Sequence, residues 1–309
     1  MPQENIIKKH ILQKNLIEIT NRLPLQEKHY QEISIGSGIL DDTIQDYLDK
    51  GLLNSISIKQ GESILGYRVN SKALLWTYPD LHEDKISPYF DIKHDNPPKD
   101  KNGKIKKYIK PKGLEPRIYR PLEVSPDYLF STKPIIITEG CKKAVKASSE
   151  GFPTISIGGV NNWQSNFNES GIISDLLKIP FENRTVYLIF DSDIVSKPQV
   201  KTALKDFALY LTRTYVNINV RVPLLPHNDD KKCGLDDYFV NGGTRESFRA
   251  LLSNSEPFYK ALGYKGVIKY PETFINPDIK DLWNGKYKNV EESSKARLEF
   301  LRKRLVSWI

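Results

Sequence analysis

Residues 133–148, KPIIITEGCKKAVKAS, decide the fold. The isoleucine run Ile135, Ile136, Ile137 is short, apolar and unbroken, the pattern of a strand buried on both faces. Glu139 and Gly140 follow at once, and GCKKAVKASSEG (140–151) reads as a helix stopped by glycine. The alternation then repeats. PTISIGG (153–159) is a second strand with a glycine turn, and SGIISDLLKI (170–179) is a helix. TVYLIF (185–190) is a third buried strand that runs directly into Asp191-Ser192-Asp193. KPQVKTALKDFALYLTRT (197–214) is a long amphipathic helix opened by a proline, and INVRVPLLP (218–226) is a fourth strand. Strands alternating with helices predict crossover units and a parallel sheet. Residues 131–255 are therefore expected to form an α/β domain with a mainly parallel four-stranded sheet flanked by helices.

Upstream, residues 1–54 look helical, with apolar residues at helical spacing in IIKKHILQKNLIEI (6–19). SGILDDTIQDYLDKGLL (37–53) is read as a helix with a serine cap and a glycine stop. Residues 55–130 are expected to be a smaller, basic α+β subdomain, with strands at SISI (55–58), ILGYRV (64–69), KALLWTYP (72–79) and SPYFDI (87–92). NPPKDKNGKIKKYIKPKG (96–113) is a proline-, glycine- and lysine-rich loop or irregular hairpin. Residues 256–309 are expected to be a helical extension. It ends in the basic amphipathic segment VEESSKARLEFLRKRLVSWI (290–309), which suggests a piece of a longer protein.

Composition narrows the function classes. No apolar segment is long enough to span a bilayer, and the first fifteen residues lack the apolar run of a signal peptide, so a cytoplasmic protein is expected. Cys141 and Cys233 stand in unrelated contexts, which supports neither a disulfide framework nor a zinc ribbon. A metal would be held by oxygen ligands or histidine. The net charge of +8 favours a polyanionic partner.

In an open α/β sheet, ligands bind beyond the carboxyl ends of the parallel strands. Glu139 stands at the end of the first such strand, Asp191 and Asp193 at the end of the third. In an extended segment residues i and i+2 point the same way, so the two aspartates are expected to project together. Three converging carboxylates repel one another unless a cation lies between them, and hard oxygen ligands suit Mg²⁺ or Mn²⁺. Each motif alone has a plainer reading: Asp191 as a helix cap, Glu139-Gly140 as a turn.

ITEGCKKA followed by IFDSD resembles the Toprim family of primases, topoisomerases and nucleases, which carries a glutamate after its first strand and Asp-x-Asp after its third. The likeness is closest to Toprim-like primase domains of plasmid and phage replication proteins, often fused to a helicase. It runs over roughly residues 90–245, through RIYRP (117–121), IIITEGCKKAVKASSEGFPTISIGGVNNW (135–163), IFDSDIVSKPQVKTAL (189–204) and KKCGLDDYF (231–239). The resemblance implies Glu139, Asp191 and Asp193 as metal ligands. It also implies that the basic segment before the Toprim sheet holds template and nucleotides. The cysteine-rich zinc module with which many primases begin does not occur.

Further residues carry two readings each. Lys142 and Lys143, in the first turn of their helix, are either surface lysines or phosphate contacts beside the metal site. Gly158 and Gly159 either make a tight turn or let a nucleotide or DNA phosphate approach the backbone. Trp163 is core or a base-stacking platform. Asp236 is expected to join the catalytic group, with Asp237 as a helix cap and Lys232 as a contact to nucleic acid or nucleotide. His227 reads as a loop histidine, and Cys141 lacks a nearby activating histidine. Tyr108, Arg117, Tyr119 and Arg120 interleave aromatics with cations, the composition of a strand-binding groove. Lys107, Lys112, Arg117 and Arg120 are the expected phosphate contacts.

The expected activity is primer synthesis on single-stranded DNA from ribonucleoside triphosphates, with deoxyribonucleoside triphosphates as the alternative substrate. Mg²⁺ or Mn²⁺ is the expected cofactor and a fused or associated helicase the expected partner. A Toprim nuclease and a non-catalytic DNA-binding replication module are the alternatives.

Overall fold

The computed structural model describes Leu16, Glu18 and residues 25–99, 102–103, 105–194, 196–226 and 232–266. Most of the expected helix 6–19, His227 and the segment 290–309 lie outside these residues.

Helices α1 (Glu27–Ser37) and α2 (Asp41–Asp49) lead into strand β1 (Leu53–Ile56). Ser37 does not cap α2, contrary to the sequence expectation. It ends α1, and Gly38 then turns the chain at φ 64° with its N–H on the Ile33 carbonyl. The strand expected at 64–69 does not form, and the one expected at 55–58 stops at Ile56: helix α3 (Ile58–Leu65), started by a capping box between Ser57 and Gln60, takes Ile58, Ile64 and Leu65, and residues 66–69 are irregular. Strands β2 (Ala73–Pro79) and β3 (Ile86–His94) complete an antiparallel sheet in the order β1-β2-β3.

The second half runs α4 (Pro126–Leu129), β4 (Ile135–Thr138), α5 (Cys141–Ser149), β5 (Thr154–Ser156), α6 (Ser174–Lys178) and β6 (Thr185–Leu188). A 3₁₀ turn (Ser192–Ile194), α7 (Pro198–Thr214), β7 (Asn219–Val222) and α8 (Leu235–Val240) follow. The described chain closes with α9 (Arg245–Ser253), β8 (Glu256–Pro257) and α10 (Phe258–Ala261). The sheet has five strands, ordered β5-β4-β6-β7-β8, rather than the four expected. The first four are parallel and β8 is antiparallel to β7. β8 has only two residues, too few to carry an alternation that sequence could show.

Alternate residues of β4 feed opposite cores, which is why the isoleucine run is unbroken. Ile135 and Ile137 pack with Leu204, Phe207 and Leu211 of α7, while Ile136 packs with Ala147 of α5, Leu235 of α8 and Phe248 of α9. Trp163 belongs to the first of these cores, its ring stacked 5.3 Å from Phe207. A third core joins the two halves of the chain. Cys141, Ala144 and Val145 of α5 pack against Trp76 and Tyr78 of β2, Ile33 of α1 and Tyr47 of α2. Each such fully buried large apolar side chain contributes about 1.5–3 kcal/mol, so α5 is held from two sides. That fixes the turn between β4 and α5, on which Glu139 sits.

Candidate active site

The register of the parallel strands sets the site. Ile137 pairs with Leu188 across β4 and β6, and the Ile189 N–H continues the ladder to the Ile137 carbonyl at 3.0 Å. Glu139 and Asp191 therefore leave the sheet side by side at its carboxyl edge. Lys143, one helical turn beyond Glu139, donates to Glu139 Oε1 at 2.6 Å and also to Asp191 Oδ1. Lys232 donates to Asp191 Oδ2 at 2.5 Å. Its segment is fastened to the end of β6 by two bonds. Ser192 N–H reaches the Cys233 carbonyl at 2.9 Å, and Cys233 N–H reaches Ser192 Oγ at 2.8 Å.

The electrostatics follow from burial. Asp191 has only 4% of its side chain exposed and Glu139 17%. Burial pushes the Glu139 carboxyl up; Lys143 opposes this, and the negative charge of Asp191 reinforces it. Burial acts the same way on Asp191, but the charge of Lys143 and the hydrogen bonds donated by Lys143 and Lys232 outweigh it and hold Asp191 low. Burial lowers and the two carboxylates raise Lys143, with the carboxylates prevailing.

Asp193 departs from the expected three-carboxylate group. The chain is not extended after Asp191 but coils into the 3₁₀ turn, where residues two apart lie about 120° apart around the axis rather than on one side. Asp193 accepts from Lys197 at 2.7 Å instead. Among the described residues no three His, Cys, Asp or Glu side chains converge as a metal-holding group. The Glu139–Asp191 pair still suits a hard divalent ion. Mg²⁺ is commonly held by one or two carboxylates, with water and substrate phosphates completing its shell.

Asp236 lies beside this pair, buried on α8. A Cβ added to Gly234 would stand 2.9 Å from Asp236 Oδ1, 3.0 Å from Lys143 Cε and 3.1 Å from Asp191 Oδ1. A larger residue at 234 would press on these three side chains and shift them. Asp237 accepts from the Gly234 N–H at 2.8 Å, the expected cap of α8.

Of the other expected residues, Lys142 pairs with Glu32 of α1 at 3.1 Å, and Lys93 of β3 binds the same glutamate. Lys107 and Lys112 are exposed, lying over the rings of Tyr108 (5.9 Å) and Tyr67 (4.6 Å). Partial burial of its ammonium end, then repulsion from Lys93, Lys142 and Lys232, lowers the Lys107 pKa although the residue as a whole is exposed. Lys107 also borders a groove of about 480 Å³ shared with Glu32, Lys93, His94 and Ile105.

Arg120 does not reach a groove, contrary to expectation. It is fully buried and spends its guanidinium on the carbonyls of Asp80, Glu83 and Val124 and on Asp84. Arg117 is turned onto the buried Asp175 at 2.6 Å. Tyr119 is core, with its backbone bridged to Ser156 beside β5. Gly158 and Gly159 adopt positive φ (65° and 143°), but the space over Gly158 is filled from within. A Cβ there would stand 2.8 Å from both Lys110 Nζ and Tyr78 Oη. Lys110 in turn binds Asp91, which accepts from Tyr78 at 3.0 Å. Burial pushes the Cys141 thiol well up, consistent with no nucleophilic role.

Sequence reasoning missed Glu32, Ser37, Lys93, Lys110 and Gly234. Gly234 had a signal, standing between a cysteine and the Leu-Asp-Asp start of a helix. The others reach the site only through tertiary packing.

No curated protein matches the chain in sequence. A family model described as a domain of unknown function, DUF3854, matches residues 129–246. In fold the chain is similar to the Aquifex aeolicus primase (zinc-binding and RNA polymerase domains), with a TM-score of 0.55 at 15% identity over 98% of this chain and 74% of that one. It is similar to the RNA polymerase domain of Mycobacterium tuberculosis primase DnaG, with a TM-score of 0.55 at 11% identity over 94% and 98%. A DnaG catalytic core gives 0.56 at 13% identity over 93% and 95%. The chain thus has a mixed α/β fold like that of primase catalytic domains. No helix among the described residues is long and apolar enough to cross a membrane.

Proposed function

We propose that this chain is a Toprim-type, metal-dependent DNA primase that synthesises primers on single-stranded DNA for plasmid or phage replication. The observation that carries this reading is the Glu139–Asp191 pair, set side by side at the carboxyl ends of adjoining parallel strands in a fold shared with primase domains. Glu139 and Asp191 would hold Mg²⁺ or Mn²⁺, and Asp193 would contribute only after leaving Lys197. Bound there, the ion would neutralise charge on the α-phosphate of the incoming nucleotide while a 3′-hydroxyl oxygen bonds to that phosphorus, its proton passes to solvent and the α–β bond breaks to release pyrophosphate.

The chain's own residues supply the rest. Lys142, Lys143 and Lys232 stand at the sheet edge as point charges for a triphosphate, and Lys107 and Lys112 line the approach for a template backbone. Asp236, tied to Ser37, keeps the 232–236 segment beside the pair. Ribonucleoside triphosphates are the proposed substrates, and a fused or associated helicase is the proposed partner.

A de novo synthesis assay on single-stranded DNA, with labelled nucleotides and each metal in turn, tests the reading. Labelled primers should form, and Glu139→Gln or Asp191→Asn should abolish them while leaving DNA binding in place. Absence of product in every metal would sink it. Degraded template would point to a Toprim nuclease. Binding without turnover would point to a DNA-binding module, a reading favoured by the pairing of both carboxylates with lysines.

A further inference from the structure

Lys143 stands where a cation between two carboxylates belongs. Its ammonium bridges Glu139 Oε1 and Asp191 Oδ1, and Lys232 covers Asp191 Oδ2, so the two negative charges are balanced by two positive ones. Lys143 lies in the first turn of α5, where a cation opposes the helix dipole. The carboxylates, not the helix, account for its position. Gly234 leaves room for the ammonium stem, because a Cβ there would come within 3.0 Å of Lys143 Cε. Lys142 is a near neighbour of equal charge, yet it bonds Glu32 and neither carboxylate of the pair.

We infer that Lys143, assisted by Lys232, is a built-in counter-cation that competes with a divalent metal for the Glu139 and Asp191 oxygens and so sets how tightly the site takes metal. The inference rests on the metal-site reading proposed above. Without a counter-charge, two adjacent carboxylates repel each other. A tethered ammonium satisfies them without leaving the protein, and an entering metal must displace it. The displaced ammonium remains at the same strand edge and turns from carboxylate to phosphate oxygens. Lys143 is thus a positioning residue before substrate arrives.

The test is Mn²⁺ binding to the full chain, read from the electron paramagnetic resonance signal of free Mn²⁺, with no substrate present. Lys143→Met should tighten Mn²⁺ binding by about tenfold or more, as expected when a charge-assisted competitor is removed. Lys232→Met, altering a side chain 56% exposed, should tighten it by a smaller factor. Lys142→Met removes the same charge one residue away and should change affinity by less than about twofold, since it touches neither carboxylate. Unchanged or weaker binding in Lys143→Met overturns the inference. Equal tightening in Lys142→Met also overturns it, by reducing the effect to the general field. If Lys143→Met does not fold, Lys232→Met decides: unchanged affinity there overturns the inference. If neither the wild type nor any variant binds Mn²⁺, the metal-site reading itself fails. If all bind it equally, only the counter-cation inference does.

Discussion

Ser37, the last residue of α1, donates a hydrogen bond to Asp236 Oδ2 on α8 at 2.8 Å, across 199 residues of sequence. Both side chains are buried. The bond fastens the N-terminal helices to the segment that carries Lys232 and Gly234. Ser37→Ala leaves a buried carboxylate oxygen without its donor, which costs about 1–3 kcal/mol. Calorimetry should show a lower Tm, by about 2–4 °C per kcal/mol for a chain of this size. Limited proteolysis should release α1 and α2 sooner. An unchanged Tm would show that Asp236 does not depend on this bond.

The sequence made the parallel sheet legible because its strands are buried on both faces and its helices are long or sharply punctuated. The isoleucines of β4 and the proline that opens α7 are local signals, and local signals survive in one dimension. Helix α3 also had one, since Ser57 and Gln60 form the Ser-x-x-Gln capping box, but the apolar pair Ile64 and Leu65 drew the reading to a strand. Asp193 was misplaced by assuming extended backbone where a 3₁₀ turn forms. Arg120 was read as a groove residue because composition cannot distinguish an arginine that binds phosphate from one that binds carbonyls. Glu32 had no signal at all, and Ser37 only that of a helix cap, which it does not form. Their partners, Lys142 and Asp236, lie 110 and 199 residues away.

Arg120 and Lys107 separate folding from binding. Arg120→Ala strands the carbonyls of Asp80, Glu83 and Val124 in the interior and should destabilise the fold by roughly 3–5 kcal/mol, lowering Tm sharply. Lys107→Ala removes an exposed cation and should leave Tm nearly unchanged while weakening binding to a single-stranded oligonucleotide. In a salt titration its log K against log[salt] slope should be shallower by about 0.7, one lost phosphate contact on a single strand. The reverse assignment, with Arg120→Ala stable but defective in binding, would return Arg120 to the groove.

Glu32 makes the tie between α1 and the sheet edge dependent on pH. Burial alone would raise its carboxyl, but the ammoniums of Lys142 and Lys93 outweigh burial and hold it below its ordinary value of 4.5. A carboxyl lowered in the folded state stabilises the protein fully above its unfolded value and loses that contribution as pH falls through the folded one. The stabilisation should therefore be constant from neutral pH down to about 5 and fade below that. Glu32→Gln should cost about 1–2 kcal/mol at pH 7, because one partly buried carboxylate serves two lysines. The Tm gap between wild type and Glu32→Gln should narrow as pH falls below 4.5. A gap that stays constant through that range would mean that the stabilisation comes from the shape of the side chain rather than its charge. The same variant frees Lys93 and Lys142, so oligonucleotide binding at neutral pH should tighten while stability falls. Loss of both would show that Glu32 orders the lysines for phosphate rather than competing with it.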